Sequence, residues 1–137
     1  MKKIRANVCA VTHAGRIRRE NEDNYDLNGR MTSTGDLKKG SAYVQSMTEP
    51  FHVAVCDGMG GAQAGNVASD LAAHVFTDHI KQHIRPQMSR KYMISVLQNA
   101  IRFANYETFH KSNSSDEFAG MGTTLVGGIA AGETVII

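Results

Sequence analysis

The chain has 137 residues, enough for one domain or part of one. Fifteen Lys and Arg stand against thirteen Asp and Glu, a net charge of +2, so bulk charge gives no basis for a nucleic-acid or membrane partner. With 42% hydrophobic and 20% charged residues, the composition is that of a globular domain and excludes a disordered tail.

In chain order, residues 4–12 alternate loosely and predict a strand. Residues 13–23 read as a charged loop, Tyr25–Leu27 as a short strand, and 28–41, with Gly29, Gly35 and Gly40, as a loop or ragged hairpin. Lys38 and Lys39 are placed on a solvated loop, and 42–47 form a further short strand. Phe51–Cys56 is the strongest strand signal, β-branched and apolar, and Asp57-Gly58 is expected to break it sharply. A helix is predicted from about Gly65 to Ile84, with Val67, Ala68, Leu71, Ala72, Val75, Phe76, Ile80 and Ile84 on one apolar stripe, ended by Pro86. A second runs from an N-cap at Ser89 to about His110, with Met93, Val96, Leu97, Ala100, Ile101 and Ala104 facing inward. Phe76, Met93, Phe103 and Phe109 are assigned to the core. Residues 123–130 predict a strand, 131–133 a tight turn and 134–137 a returning strand.

Strands, two adjacent helices and a hairpin make an α+β chain with a largely antiparallel sheet. The sequence stops within an apolar strand, so it is read as the front of a larger domain. Two cysteines, Cys9 and Cys56, are too few for a disulfide scaffold and are expected as buried thiols. No secretory signal or spanning segment is visible, which places the protein in the cytoplasm.

Three clusters carry polar residues suited to chemistry. Asp57 ends an apolar strand with its carboxylate turned outward, and the Gly58 carbonyl adds a second oxygen donor of the kind a hard divalent ion prefers. A plain Asp-Gly turn explains the same residues equally well. The Gly15–Asp23 loop offers Arg18, whose planar fork suits a phosphate, and the acids Glu22 and Asp23; a solvated loop with a surface ion pair is the alternative. Gly120–Leu125 is the third cluster. The glycines fit no nucleotide cradle: Gln63 and Leu125 stand where G-x-G-x-x-G needs glycine, and no G-K-[ST] occurs. His79 and His83, four apart, lack the Glu of a zincin and read as a solvated or half-buried face. Thr123 and Thr124 either buttress the Gly58 turn or are simply buried strand residues, the second being favoured. Together, two strand-end carboxylates and an arginine are what metal-assisted phosphate ester hydrolysis requires.

Arg18-x-x-Asn21-Glu22-Asp23, Asp57-Gly58-Met59-Gly60-Gly61 and Gly120-Met121-Gly122-Thr123-Thr124-Leu125 resemble, in order, three signature blocks of the metal-dependent protein phosphatases, the type 2C serine/threonine phosphatases, in their bacterial branch. The resemblance spans residues about 5–137. It implies the N-terminal part of an α-β-β-α sandwich, two antiparallel sheets with flanking helices, in a single incomplete domain. It implies two Mn²⁺ or Mg²⁺ ions in a complete site. Asp57 would bridge them, Glu22 and the Gly58 carbonyl would ligate one, Asp23 would hold a metal-bound water, and Arg18 would bind the substrate phosphate. The metal-activated water would then attack phosphorus in phosphoserine or phosphothreonine of a protein substrate. Some members carry His after the Asp-Gly; Met59 stands here, so no general acid is assigned. The family's later metal-binding aspartates have no counterpart in this chain. A non-catalytic phosphatase-like binding or regulatory module is therefore the alternative, and exposed strand edges predict self-association.

Overall fold

The computed structural model describes residues 3–32, 40–60 and 64–137. The Lys38-Lys39 pair and Gly61 lie outside those residues. Strand β1 (Arg5–Thr12) pairs antiparallel with β4 (Ser41–Thr48) in a two-stranded sheet. The second sheet has the order β3-β2-β5-β7-β8: β3 (Arg30–Met31), β2 (Asp23–Leu27), β5 (Phe51–Met59), β7 (Val126–Ala131) and β8 (Thr134–Ile136), with β6 (Gly122–Thr123) paired to the end of β5. Helices α1 (Ala64–His83) and α2 (Arg90–Ser112) pack on one face of this larger sheet, and the β1–β4 pair covers part of the other.

The helical stripes seal the first face. Ala54 and Cys56 of β5 and Ile129 and Ala131 of β7 meet Ala72, Phe76, Ile80, Met93, Val96 and Ala100. Gly127 lets Phe76 lie flat on β7, since a Cβ there would stand 2.5 Å from the ring. Burial, and then the nearby Asp26 charge, push the Cys56 thiol up to about 12, so it is inert. On the other face, Tyr25, Leu27, Phe51 and Ala130 pack against Met47, Val8 and Ala10. The chain crosses between sheets three times: in the 13–22 loop, between β3 and β4, and between β4 and β5.

Ser89 caps α2 by accepting the Tyr92 amide at 3.2 Å. Asn28-Gly29, both at positive φ, close a two-residue hairpin between β2 and β3, where a loop or ragged hairpin was expected. No helix among the described residues is long and apolar enough to cross a membrane.

Four expectations are corrected. Cys9 is exposed, because alternation along β1 points it to the outer, uncovered side of the two-stranded sheet. Ile101, Phe103 and Phe109 are exposed on α2; Phe103 sits at the rim of the α1 contact, its ring 5.2 Å from that of His79, and none of the three joins the buried cluster between helices and sheet. The strand expected over 123–130 is two strands, interrupted at Thr124-Leu125. Asp57-Gly58 does not end β5, which runs through to Met59.

Candidate metal centre

The reason β5 continues lies in tertiary contacts. Gly58 is buried in extended backbone against the first turn of α1; a Cβ on it would stand 2.0 Å from the Gly65 carbonyl oxygen. Its amide donates to the Glu22 carbonyl at 3.2 Å, which extends the β2–β5 pairing by one step. An Asp-Gly pair free in a loop would turn; here glycine serves close approach instead.

That pairing sets the site. The β2–β5 register places Asp23 directly opposite Asp57. Opposed residues of an antiparallel pair share a face, so two carboxylates stand side by side at one end of the sheet, an arrangement that is unfavourable between like charges. Burial first, then the Asp57 charge and a hydrogen bond shared with its carboxyl, raise the Asp23 carboxyl above its ordinary range; Glu22 adds to this and Arg18 opposes it. Asp57 itself is exposed.

Glu22 precedes β2, and its carboxylate lies against Gly65 of α1, where a Cβ would come within 2.8 Å of it. Its main chain adjoins Gly58, while its side chain leaves toward the helices and those of Asp23 and Asp57 toward the gap between sheets. Arg18 Nη1 bonds Glu22 Oε2 at 3.2 Å; the arginine side chain is 65% exposed and the glutamate 15%. Asn21 fastens the loop: its Nδ2 donates to Thr12 Oγ1 at the end of β1, and its Oδ1 accepts the Asp23 amide at 3.1 Å. The residues expected to form a site, Arg18, Glu22, Asp23, Asp57 and Gly58, thus share one sheet end.

Two features escaped sequence reasoning. Gly65 reads as an ordinary helix-start glycine, yet only its missing side chain leaves room for the Glu22 carboxylate. Thr123 and Thr124, favoured as buried strand residues, hold the Asp57 backbone: Thr124 is exposed, its amide donates to Asp57 O at 2.9 Å, and its hydroxyl accepts the Asp57 amide at 3.1 Å. Only the adjacency of two hydroxyls to the Gly120–Gly122 cluster signalled this.

A hard divalent cation suits this donor set, which is all carboxylate and carbonyl oxygen, and would relieve the Asp23–Asp57 repulsion. The set is incomplete: among the described residues no group of three or more His, Cys, Asp and Glu side chains converges closely enough to hold a metal ion.

The family model for Protein phosphatase 2C matches residues 40–137, well over half of the chain. The chain belongs to the protein phosphatase 2C family. This member is 35% identical over 126 residues to the serine/threonine phosphatase stp of Listeria monocytogenes serotype 4b and 34% identical to that of Listeria innocua. Both alignments take in 92% of this chain and 43% of the relative, so the chain spans less than half the length of the curated relatives it matches. Among solved structures it resembles the Mycobacterium tuberculosis serine/threonine phosphatase PstP/Ppp (TM-score 0.61, 23% identity), over 97% of this chain and 44% of that one. It also resembles the PstP catalytic domain in complex with two manganese ions (TM-score 0.64, 22% identity), over 98% of this chain and 46% of that one. These likenesses establish the α+β fold of two antiparallel sheets and helices for this protein phosphatase 2C chain.

Proposed function

We propose that the chain is the N-terminal part of a metal-dependent phosphatase domain that hydrolyses phosphoserine and phosphothreonine in proteins. The observation that carries this reading is the like-charged Asp23–Asp57 pair, held face to face by strand register beside Glu22 and Arg18. The names of the Listeria relatives supply the substrate class, and the manganese complex of PstP supplies the metal class. Mn²⁺ or Mg²⁺ fits the oxygen donors here, two ions per complete site.

In this reading Asp57, Glu22 and the Gly58 carbonyl are the groups of this chain that would hold the ions. When bound, the cations turn water into a nucleophile at neutral pH and offset the charge developing on the phosphoryl oxygens. Asp23, facing Asp57 across the strand pair, would orient a water in the site by accepting its hydrogen bond. Arg18 leaves Glu22 and takes the substrate phosphate with its planar fork, for which its exposure suits it. Hard ions take about six oxygens, more than these residues give, so the missing ligands belong to the remainder of the domain and the 137-residue chain alone is inactive. The accompanying placement is cytoplasmic, consistent with two unpaired thiols. The uncovered sheet face makes a second copy of the chain its partner in isolation.

A non-catalytic phosphatase-like module is the second reading, favoured by the absence of a third converging acid among the described residues. A chimaera decides between them, with this chain replacing the matching segment of the Listeria monocytogenes relative. The enzyme reading expects Mn²⁺-dependent release of phosphate from a phosphothreonine peptide, abolished by chelation and by Asp57→Asn. A folded chimaera that is silent, or active in chelator, overturns it.

A further inference from the structure

We propose that Thr123 and Thr124 are positioning residues for the Asp57 carboxylate, a role that rests on the metal-centre reading of Asp57. Val55 pairs with Val126 and Gly58 with Thr123, and carrying that register through puts Thr124 opposite Asp57. There the regular strand pairing is interrupted. Thr124 N–H makes its ladder bond to Asp57 O at 2.9 Å, but the reciprocal bond is absent: the Asp57 amide is taken at 3.1 Å by Thr124 Oγ1. Thr123 Oγ1 lies 2.9 Å from Asp57 O and 2.9 Å from Thr124 O, and its one proton serves both.

Both backbone groups of Asp57 are therefore tied to two consecutive residues, with the Thr124 hydroxyl replacing a carbonyl acceptor at one point of the sheet. A side-chain acceptor competing with the ladder ordinarily weakens a strand. Its benefit here is local. Fixing the Asp57 amide and carbonyl fixes both the direction of its Cα–Cβ bond and the φ/ψ on which its χ1 rotamer depends, so the carboxylate is held toward Asp23 although the two repel. A site that presents like charges to a cation needs such support, because otherwise the exposed aspartate rotates into water. Attaching β6 to β5 does not require it, since Met59 pairs with Gly122 independently.

The test is made on the 137-residue chain without metal. Three-bond couplings from the Asp57 backbone to its Cγ report whether χ1 occupies one rotamer. The proposal expects one rotamer in the wild type and in Thr124→Ser, and averaging among rotamers in Thr124→Val, which removes the acceptor at nearly constant shape. Thr123→Val, which removes the other contact, is read by the same couplings, so loss of fold in one variant leaves the other to decide. A second readout is Mn²⁺ affinity by water-proton relaxation, expected to fall on the order of tenfold in Thr124→Val and to recover in Thr124→Ser. Unchanged couplings in both valine variants, or a wild type already averaged, overturn the proposal. A wild type that binds no Mn²⁺ defeats the metal reading of Asp57, while the couplings still judge the clamp.

Discussion

The two faces of the larger sheet are finished to different degrees. On the helix side, Phe76, Ile80, Met93 and Ile129 are almost wholly removed from solvent, and a glycine is placed where the Phe76 ring must lie. On the opposite side, the two-stranded sheet shelters Tyr25 and Leu27 and then runs out. Val55 and Val126, neighbours in the β5–β7 register, are 58% and 62% exposed, beside a cleft of about 420 Å³ between the sheets. The outer side of β1 likewise leaves Val11 70% exposed. A chain can thus complete one core by itself and leave a second half-built, and Asp23 and Asp57 project on the half-built side. Structure comes from the closed face; of the candidate ligands, Asp23 and Asp57 are presented on the open one, while Glu22 turns toward α1.

The contrast is broken most severely at the closed face. Phe76→Ala should cost about 3–5 kcal/mol, since the cavity is enclosed by helix and sheet and cannot collapse; denaturant unfolding measures it. The next effect is on the open face. Wild-type chain is expected to self-associate with rising concentration in a sedimentation experiment, and Val55→Lys combined with Val126→Lys should shift it to monomer with an unfolding midpoint changed far less than by Phe76→Ala. The smallest effect sharpens the picture at the site. Because the folded state raises the Asp23 proton affinity, its contribution to stability is fully present below the unfolded carboxylate pKa and is lost as pH rises through the folded value. Asp23→Asn should therefore melt slightly higher than wild type at neutral pH, and the gap should close as pH is lowered through that range.

How much was legible in the sequence follows the same division. The apolar periods of Ala68, Ala72, Phe76 and Ile80 and of Met93, Val96, Leu97 and Ala100 define both helices and the face they bury, because packing on that face is complete within the chain. Alternation along β1 tells which residues share a side but not which side is covered, so Cys9 came out exposed. The same limit applies to Phe103 and Phe109, apolar residues whose neighbours cannot be read from spacing. Asp57-Gly58 looks like a turn to any local rule; only the close approach of Gly65 and the Glu22 carbonyl makes it strand. The acids themselves were legible as types, since Glu22, Asp23 and Asp57 have no apolar role to play. Their relation was not: that Asp23 faces Asp57 while Glu22 turns toward α1 depends on register, which a single sequence does not carry.

Titration of the metal-free chain with Mn²⁺, followed by water-proton relaxation, tests the account at its centre. Saturable but weak binding is expected, on the order of millimolar for a site with an incomplete oxygen shell, and its loss in Asp57→Asn. Binding that is identical in wild type and Asp57→Asn, or none in the wild type, would contradict it.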